Sequence, residues 1–496
     1  MSAASSEGVV AEQGTPPDRT PPPWLHSVQR GHAPNCSSAG SAVGWALASA
    51  AGAAVVLNAF ADRFLHWLDA HEGGGPPGST QATTGEAAVG AGSTPSAQDP
   101  PGAAALRVRI EADAALIAWP EPPALLHVDR AMGLRALQAG ARRAGPPGGH
   151  GETPEGALSA PTEAHLAVTD RCPVTCTGCY LSAGPDRPIT EPGDLLEQLD
   201  ALAAAGVLEV AFGGGEALMR ADLLGLAAAA RDRGLVPNLT TSGFGLTARR
   251  ARALAAVMGQ VNVSLDGVDQ TYRESRGWDG AGLGLTAVRR LAEAGARVGV
   301  NTVLTRPLLA SPDALEDLGA AVAAAGAQEW QWLRFKPTGR GADAWDTLSP
   351  PPEALTALWP RALALEASTR VTIRWDCALV PFLTPHLDAP DRAARLGVHG
   401  CPGGERLWAR SASGGWAPCS FAPGAPAADI DSAWRDDPQL QAWRARAASP
   451  PAPCSGCDWA AVCRGGCRIV AAHLTGDAMA ADPQCPRVRA HAGATP

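Results

Sequence analysis

Three cysteines, Cys172, Cys176 and Cys179, stand in the pattern C-x3-C-x2-C within Asp170-Arg171-Cys172-Pro173-Val174-Thr175-Cys176-Thr177-Gly178-Cys179-Tyr180. Three thiolates on one loop can each hold an iron of a [4Fe–4S] cube and leave the fourth iron without a protein ligand. An open iron can bind a second molecule and pass an electron into it. That chemistry belongs to the cofactor, and the protein positions it. A structural zinc site is the alternative, but zinc favours paired C-x2-C knuckles with four ligands, and this loop offers three.

A second group, Cys401, Cys419, Cys454, Cys457, Cys463, Cys467 and Cys485, lies toward the C-terminus. Its core reads C-x2-C-x5-C-x3-C, with a last cysteine after a gap of seventeen residues and Gly414 five positions before Cys419. A zinc ribbon accounts for one C-x2-C pair but not for the whole array. Of the twelve cysteines in the chain, Cys36 and Cys377 fall outside both groups. Cys377 follows the strand-like run Val371-Thr372-Ile373-Arg374-Trp375-Asp376 and reads either as a further ligand or as an apolar core thiol.

With Tyr180 behind it, the first pattern resembles the signature of the radical S-adenosylmethionine (SAM) superfamily. The second resembles the SPASM domain, so the likeness covers about 163–490. The resemblance implies that the open iron chelates the amino and carboxylate groups of SAM, and that reductive cleavage gives a 5′-deoxyadenosyl radical. It also implies two auxiliary [4Fe–4S] clusters. Cys454, Cys457, Cys463 and Cys485 would ligate one; Cys401, Cys419 and Cys467 would give three ligands to the other, with Cys377 the candidate fourth.

Phe212-Gly213-Gly214-Gly215-Glu216 is similar to the family's G-G-E element, whose backbone and carboxylate hold the SAM amino group. Ser264-Leu265-Asp266-Gly267, with Arg276 twelve residues past Ser264, is similar to an element that contacts the SAM ribose and carboxylate. An Arg fork suits a carboxylate because it can pair bidentately; the alternative for Arg276 is a solvated helix charge. Tyr180 and Asn301 complete the expected cofactor contacts. Thr240-Thr241-Ser242-Gly243 reads equally as hydroxyls lining the same mouth or as an ordinary strand-to-helix turn.

The resemblance implies a maturase that takes hydrogen from a peptide or protein substrate to form a thioether, a carbon–carbon crosslink, an epimer or an oxidised residue. It also implies an electron donor such as flavodoxin or ferredoxin. A sulfatase-maturing formylglycine dehydrogenase and a small-molecule dehydrogenase of the aminocyclitol type are the alternatives. The sulfatase-maturing type carries an Asp directly after an auxiliary-cluster cysteine as proton acceptor. Here the run is Pro418-Cys419-Ser420-Phe421, and a serine does not take a proton at neutral pH without help.

These residues need a scaffold, and from Glu163 to about Gly341 apolar strands alternate with Ala/Leu-rich helices in a βαβ rhythm. The strand candidates are 163–169, 207–212, 236–240, 261–265, 297–303 and 329–335. Six units suggest an α/β fold built on a partial (β/α)6 TIM-like barrel, the fold that the resemblance also implies, with ligands at the C-terminal strand ends. The expected division is a core at 162–345, a connecting helical region at 346–394 and a small Cys-rich domain at 395–490.

Upstream, 1–35 is proline-rich, without period, and reads as disordered. The segment 36–71 carries no formal charge from Cys36 until Asp62. It reads as a membrane helix, as a buried helix continuing through Phe64, Leu65, Trp67 and Leu68, or as a fused substrate-like peptide. Its Ala- and Gly-rich composition makes insertion weak. The stretches 72–102 and 141–161 read as linkers. Between them, 103–140 offers strands at 106–110, 115–119 and 125–128 and then a helix. It resembles a small peptide-leader-binding module, or forms a β-rich lip on the next domain.

A hydrophobic fraction of 46% over 496 residues supports a real core. A net charge of −9 without a basic stripe excludes nucleic acid as a natural partner. The N-terminus shows no charged and apolar signal pattern, so the cysteines point to metal binding in a reducing cytoplasm.

Overall fold

The computed structural model describes residues 67–68, 106–112, 114–120, 123–146, 157–395, 398–427 and 429–494. The expectations for 1–35, for the linker 72–102, for Cys36 and for 36–71 apart from Trp67 and Leu68 lie outside the described residues.

Alternating apolar residues build a first, small sheet. Arg107–Ile110 (β1) pairs antiparallel with Ala114–Pro120 (β2), which pairs antiparallel with Pro123–Asp129 (β3). Arg142–Arg143 (β4) adds parallel to β1, giving the order β3-β2-β1-β4. The Asp129 carboxylate accepts from the Met132 amide at 2.7 Å and so caps the helix Arg130–Gln138. That helix and the sheet enclose Val108, Ile117, Trp119 and Met132 together with Trp67 and Leu68, both fully buried. The two described residues of the apolar upstream segment are thus core residues.

The second sheet carries the βαβ rhythm. Glu163–Ala167 (β5), Glu209–Gly213 (β6), Val236–Thr241 (β7), Gln260–Ser264 (β8), Val298–Leu304 (β9) and Glu329–Arg334 (β10) run parallel in sequence order. Thr372–Trp375 (β11) extends it beyond β10, and Leu407–Arg410 (β12) joins the free side of β5, both in parallel. Trp416–Ala417 (β13) closes the order β11-β10-β9-β8-β7-β6-β5-β12-β13. The region expected to be a helical connection therefore also contributes a strand, and the Cys-rich region contributes two. The strand-like run at 371–376 is β11, whereas β12 and β13, four and two residues long, leave too short an alternation to register as further units of the rhythm.

The sheet curls until its ends meet. Arg374 of β11 is near enough to Glu163 of β5 to bias its ionisation, and the Cys377 thiol, just past β11, hydrogen-bonds Cys401, ahead of β12. Outward residues Leu166, Phe212, Leu239, Val261, Val300 and Trp330 are buried beneath the helices. The inward set departs from the usual filling of parallel barrels by branched apolar side chains: it includes Glu163, His165, Glu209, Asn238, Asn262 and Gln331, and it lines a cavity. Among the described residues, no helix is long and apolar enough to cross a membrane.

The small sheet forms the floor of this barrel. Arg107 donates to the carbonyls of Val207 and Gly234, each at 3.0 Å, just ahead of β6 and β7. Arg109, wholly buried, donates to Pro161 O at 2.8 Å and Gly206 O at 2.9 Å and pairs with Glu111 at 2.8 Å. Residues Leu125 to Val128 of β3 border the cavity.

Replacing Arg109 by Met should leave Glu111 buried without its ion-pair partner and lower the unfolding free energy by about 3–5 kcal/mol, measured by urea denaturation. A loss under about 1 kcal/mol would show that the floor does not depend on this contact.

Candidate active site

The loop that leaves the C-terminal end of β5 is fixed by the end of β6. A Cβ on Gly214, whose φ is +113°, would lie 2.3 Å from Thr169 O, and one on Gly215 would lie 2.3 Å from Arg171 O. The Gly215 amide donates to Thr169 O at 2.6 Å and the Glu216 amide to Arg171 O at 2.9 Å. Here the glycines permit a close approach of chain to chain, one that sets where the cysteine loop begins. Burial raises the Cys172 thiol to about 11, with Cys176 and Cys179 among the neighbours that add to the shift.

Glu216 departs from the sequence expectation. Its carboxylate is not open to the cavity: it is fully buried and accepts from Leu218 N at 3.0 Å, Thr241 Oγ1 at 2.5 Å, and Ser242 N and Oγ at 2.7 and 2.5 Å. Two oxygens carrying four hydrogen bonds tie the end of β6 to the end of β7, so the side chain acts through Thr241 and Ser242. Ser242, not Glu216, faces the cavity.

Arg276 is not a solvated charge. Its side chain is 14% exposed, and Nε donates to Asp266 Oδ2 at 2.7 Å. The other Asp266 oxygen accepts from Val303 N at 2.8 Å. The guanidinium Nη1 lies 3.9 Å from Cys176 Sγ, and Trp278 Nε1 donates to the same sulfur at 3.2 Å. Ser264, Asp266, Arg276, Asn301, Gly214, Gly215 and Tyr180 all line the cavity. Asn301 Oδ1 is buried there without a hydrogen-bond partner, which suits a ligand with N–H or O–H groups.

The remaining cysteines fall into two neighbourhoods. Cys454 and Cys463 each sense Cys485, and Cys457 acts on both Cys454 and Cys485. Cys401 neighbours Cys377 and Cys419, and Cys419 neighbours Cys467. The hydrogen bond from Cys377 lowers the Cys401 thiol to about 5, and burial raises Cys419 to about 12. Among the described residues, no three of His, Cys, Asp or Glu converge as the ligands of a single ion would; a four-iron cube instead takes each thiolate at a separate corner.

The donor set fits an anionic cluster. Arg468, 1% exposed, has Nε and Nη1 without a partner and acts on Cys401; Lys336 and Arg334 act on Cys467. Buried cations left over after their own hydrogen bonds are costly unless an anion sits beside them. Lys336 is paired with Asp376 and lies 4.6 Å over the ring of Phe421, which in turn packs 4.8 Å from Tyr180.

One cavity of about 1150 Å³ touches the Cys172, Cys176 and Cys179 loop at one end and Cys377, Cys401, Cys419 and Cys467 at the other. Cys454, Cys457, Cys463 and Cys485 are not on its wall. Sequence reasoning missed Trp278, Arg468 and the polar inner face. The last had a visible signal, since Glu, His, Asn and Gln recur at alternate positions of otherwise apolar strands.

Residues 166–310 match the radical SAM superfamily model. The chain is 31% identical over 343 residues to a PqqA peptide cyclase from Granulibacter bethesdensis, covering 65% of this chain and 87% of that protein. It is 29% identical over 369 residues to a PqqA peptide cyclase from Ruegeria pomeroyi, covering 70% and 92%. The fold is similar to the crystal structure of Streptococcus suis SuiB bound to S-adenosylmethionine, at a TM-score of 0.59 and 16% identity, covering 77% of this chain and 98% of that one.

Glu209 gives the polar interior a measurable signature. Burial, then the charge of Glu163, raises its carboxyl to about 7 from an ordinary 4.5. The folded state keeps this proton when the unfolded chain has released it, so the associated stability is full below pH 4.5 and is lost as pH rises through 7. Glu209→Gln should therefore gain on the order of 1–3 kcal/mol relative to wild type between pH 4.5 and pH 8, read from urea midpoints at both pH values. A constant difference across that window would mean Glu209 titrates normally.

Proposed function

Because this chain belongs to the radical SAM superfamily, we propose that it oxidatively modifies a peptide by hydrogen abstraction. The observation that carries this reading is the single cavity shared by the three-cysteine loop and a second cysteine quartet. A volume of about 1150 Å³ exceeds the roughly 300–1,000 Å³ of an ordinary small-molecule pocket and leaves room for a substrate side chain beside a cofactor. The curated relatives are named for action on a peptide, which favours the same substrate class here.

On this reading Cys172, Cys176 and Cys179 hold one [4Fe–4S] cluster, and SAM bound there supplies the 5′-deoxyadenosyl radical. Gly214 and Gly215 set the wall on one side. Arg276, held by Asp266, presents its remaining N–H groups toward the cluster and the SAM carboxylate. Ser264, Asn301 and Tyr180 bound the rest, while Glu216 positions Ser242. Trp278 donates to a cluster thiolate, a contact that stabilises added negative charge on the sulfur.

Cys377, Cys401, Cys419 and Cys467 would hold one auxiliary cluster at the cavity, and Cys454, Cys457, Cys463 and Cys485 a second outside it. A flavodoxin- or ferredoxin-type protein would supply electrons. The core at 162–345, the connection at 346–394 and the auxiliary region at 395–490 are parts of this reading, sharing one sheet. The small sheet at 103–140 fits a leader-docking floor.

Anaerobic co-expression with a candidate short peptide, followed by mass spectrometry, should show loss of two hydrogens from the peptide. An unmodified peptide together with stoichiometric zinc and little iron would overturn the reading. Reconstituted protein should bind about twelve irons. The Cys172→Ala, Cys176→Ala, Cys179→Ala triple variant should retain about two thirds of them yet lose all SAM cleavage. Cys377→Ser should alter the iron content or the cluster spectra; unchanged spectra would reject its ligation.

A further inference from the structure

Three residues distant in sequence form a hydrogen-bonded chain on the cavity wall. Glu163 and His165 point inward from β5, and Ser420 follows Cys419 in the loop after β13. Ser420 Oγ lies 3.0 Å from His165 Nδ1, and His165 Nε2 lies 3.3 Å from Glu163 Oε1. The His165 and Glu163 side chains are 37% and 38% exposed. That exposure is to the cavity that all three residues line.

The chemistry of the partners fixes the direction of the chain. An ionised carboxylate only accepts, so Nε2 carries the hydrogen toward Glu163, and Nδ1 of the neutral ring accepts from the Ser420 hydroxyl. Burial opposes ionisation of Glu163, but His165, Arg374 and Arg406 outweigh it and hold the carboxyl below its ordinary range. For His165 burial opposes the charged form, and Glu163 outweighs it and raises the imidazole. Glu209 on β6 also interacts with Glu163, and Arg297, ahead of β9, acts on Glu209 in turn. Ser420 alone cannot take a proton at neutral pH; Ser420 backed by an imidazole and a carboxylate can.

The other carboxylates at the cavity are occupied. Asp266 is bound by Arg276 and Val303 N, Asp376 by Lys336 and Arg334 N, and Glu329 by Arg297, Arg374 and Gln260. Glu209 accepts from Asn238 and pairs in register with Glu163, two residues before the position level with His165. Among the described residues at the cavity, only the Ser420 hydroxyl combines a basic relay with a place next to a cysteine of the quartet.

We propose that Ser420, His165 and Glu163 are the proton acceptor of the peptide oxidation, with Ser420 Oγ receiving the proton, His165 Nδ1 storing it and Glu163 positioning the ring. This rests on the peptide-modifying reading above. As a substrate bond to hydrogen breaks heterolytically, Oγ takes the proton while its own proton moves to Nδ1, leaving a neutral hydroxyl and an imidazolium beside a carboxylate. The step involves no redox change; the electron released in the oxidation leaves for an acceptor of the iron–sulfur class.

The test uses reconstituted holoenzyme and a peptide deuterated at the reacting position, and reads modified peptide formed per deuterium found in 5′-deoxyadenosine. His165→Gln and Ser420→Ala should lower that ratio on the order of 100-fold, and Ser420→Thr, which keeps the hydroxyl, should restore it. The ratio should rise with pH as His165 loses its proton, and Glu163→Gln should move that limb to lower pH, a shift that loss of packing alone would not produce. On the full chain before cluster loading, ¹⁵N-histidine NMR should show the same downward move of the His165 titration. An unchanged ratio in both His165→Gln and Ser420→Ala, or a pH limb unmoved by Glu163→Gln, would overturn the proposal. A wild type that transfers no deuterium from peptide overturns the peptide reading itself, and is recognised by that absence.

Discussion

A thiolate removed from water is stable only beside positive charge or hydrogen-bond donors, and the C-terminal half of this molecule is organised to meet that condition. Arg446 donates to the backbone carbonyls of Gly465 and Ala480 at 2.8 and 2.6 Å, and so sits among Cys401, Cys454 and Cys463. Arg334 reaches from β10 to Asp482, which also accepts from the Cys467 and Gln484 amides, each at 3.1 Å. Arg446 thus ties parts of the cysteine array to one another, and Arg334 ties the array to β10. The charges that offset the sulfur atoms are therefore also ties that hold the Cys-rich region together and, through Arg334, to the barrel.

The same economy governs the interior. Parallel strands in a closed barrel ordinarily bury both faces in apolar side chains. Here the outer face does so, through residues such as Phe212, Val261 and Trp330, while the inner face alternates carboxylates, amides and a histidine. Glu329 is held by Arg297 of one neighbouring segment and Arg374 of another, so the polar lining is cross-braced around the wall. A lining of this kind resists collapse, since filling the space would strand ion pairs without solvent or partner.

Local pattern carried much of this to the surface of the sequence. The six strands from Glu163 to Arg334 were legible because Val, Leu and aromatic residues recur between Gly-ended helices, and the loop cysteines because their spacing is short. What was hidden depends on pairs far apart in the chain. Ser420 and His165 are separated by 255 positions, and the packing of β12 on β5 joins residues more than two hundred apart. Trp278 was hidden for a related reason, since an indole after a helix has no periodic mark that says its N–H points at a sulfur. Glu216 shows the reverse case, a residue whose motif was evident but whose carboxylate is spent on Thr241 and Ser242.

The floor built by β1 to β4 has an architectural consequence. Its polar contacts to the barrel are made by Arg107 and Arg109 of β1 reaching main-chain carbonyls, beside apolar packing of Leu116 and Ala118 against Leu158 and Leu208, so the polar part asks little of the barrel's own side chains. Its inner strand, β3, meanwhile furnishes part of the chamber wall. The upstream sheet is thus an appendage by connectivity and a structural wall by position. Removing it would turn a vessel closed at its base into a tube open at both ends, with bulk water entering from the side opposite the cysteine loop.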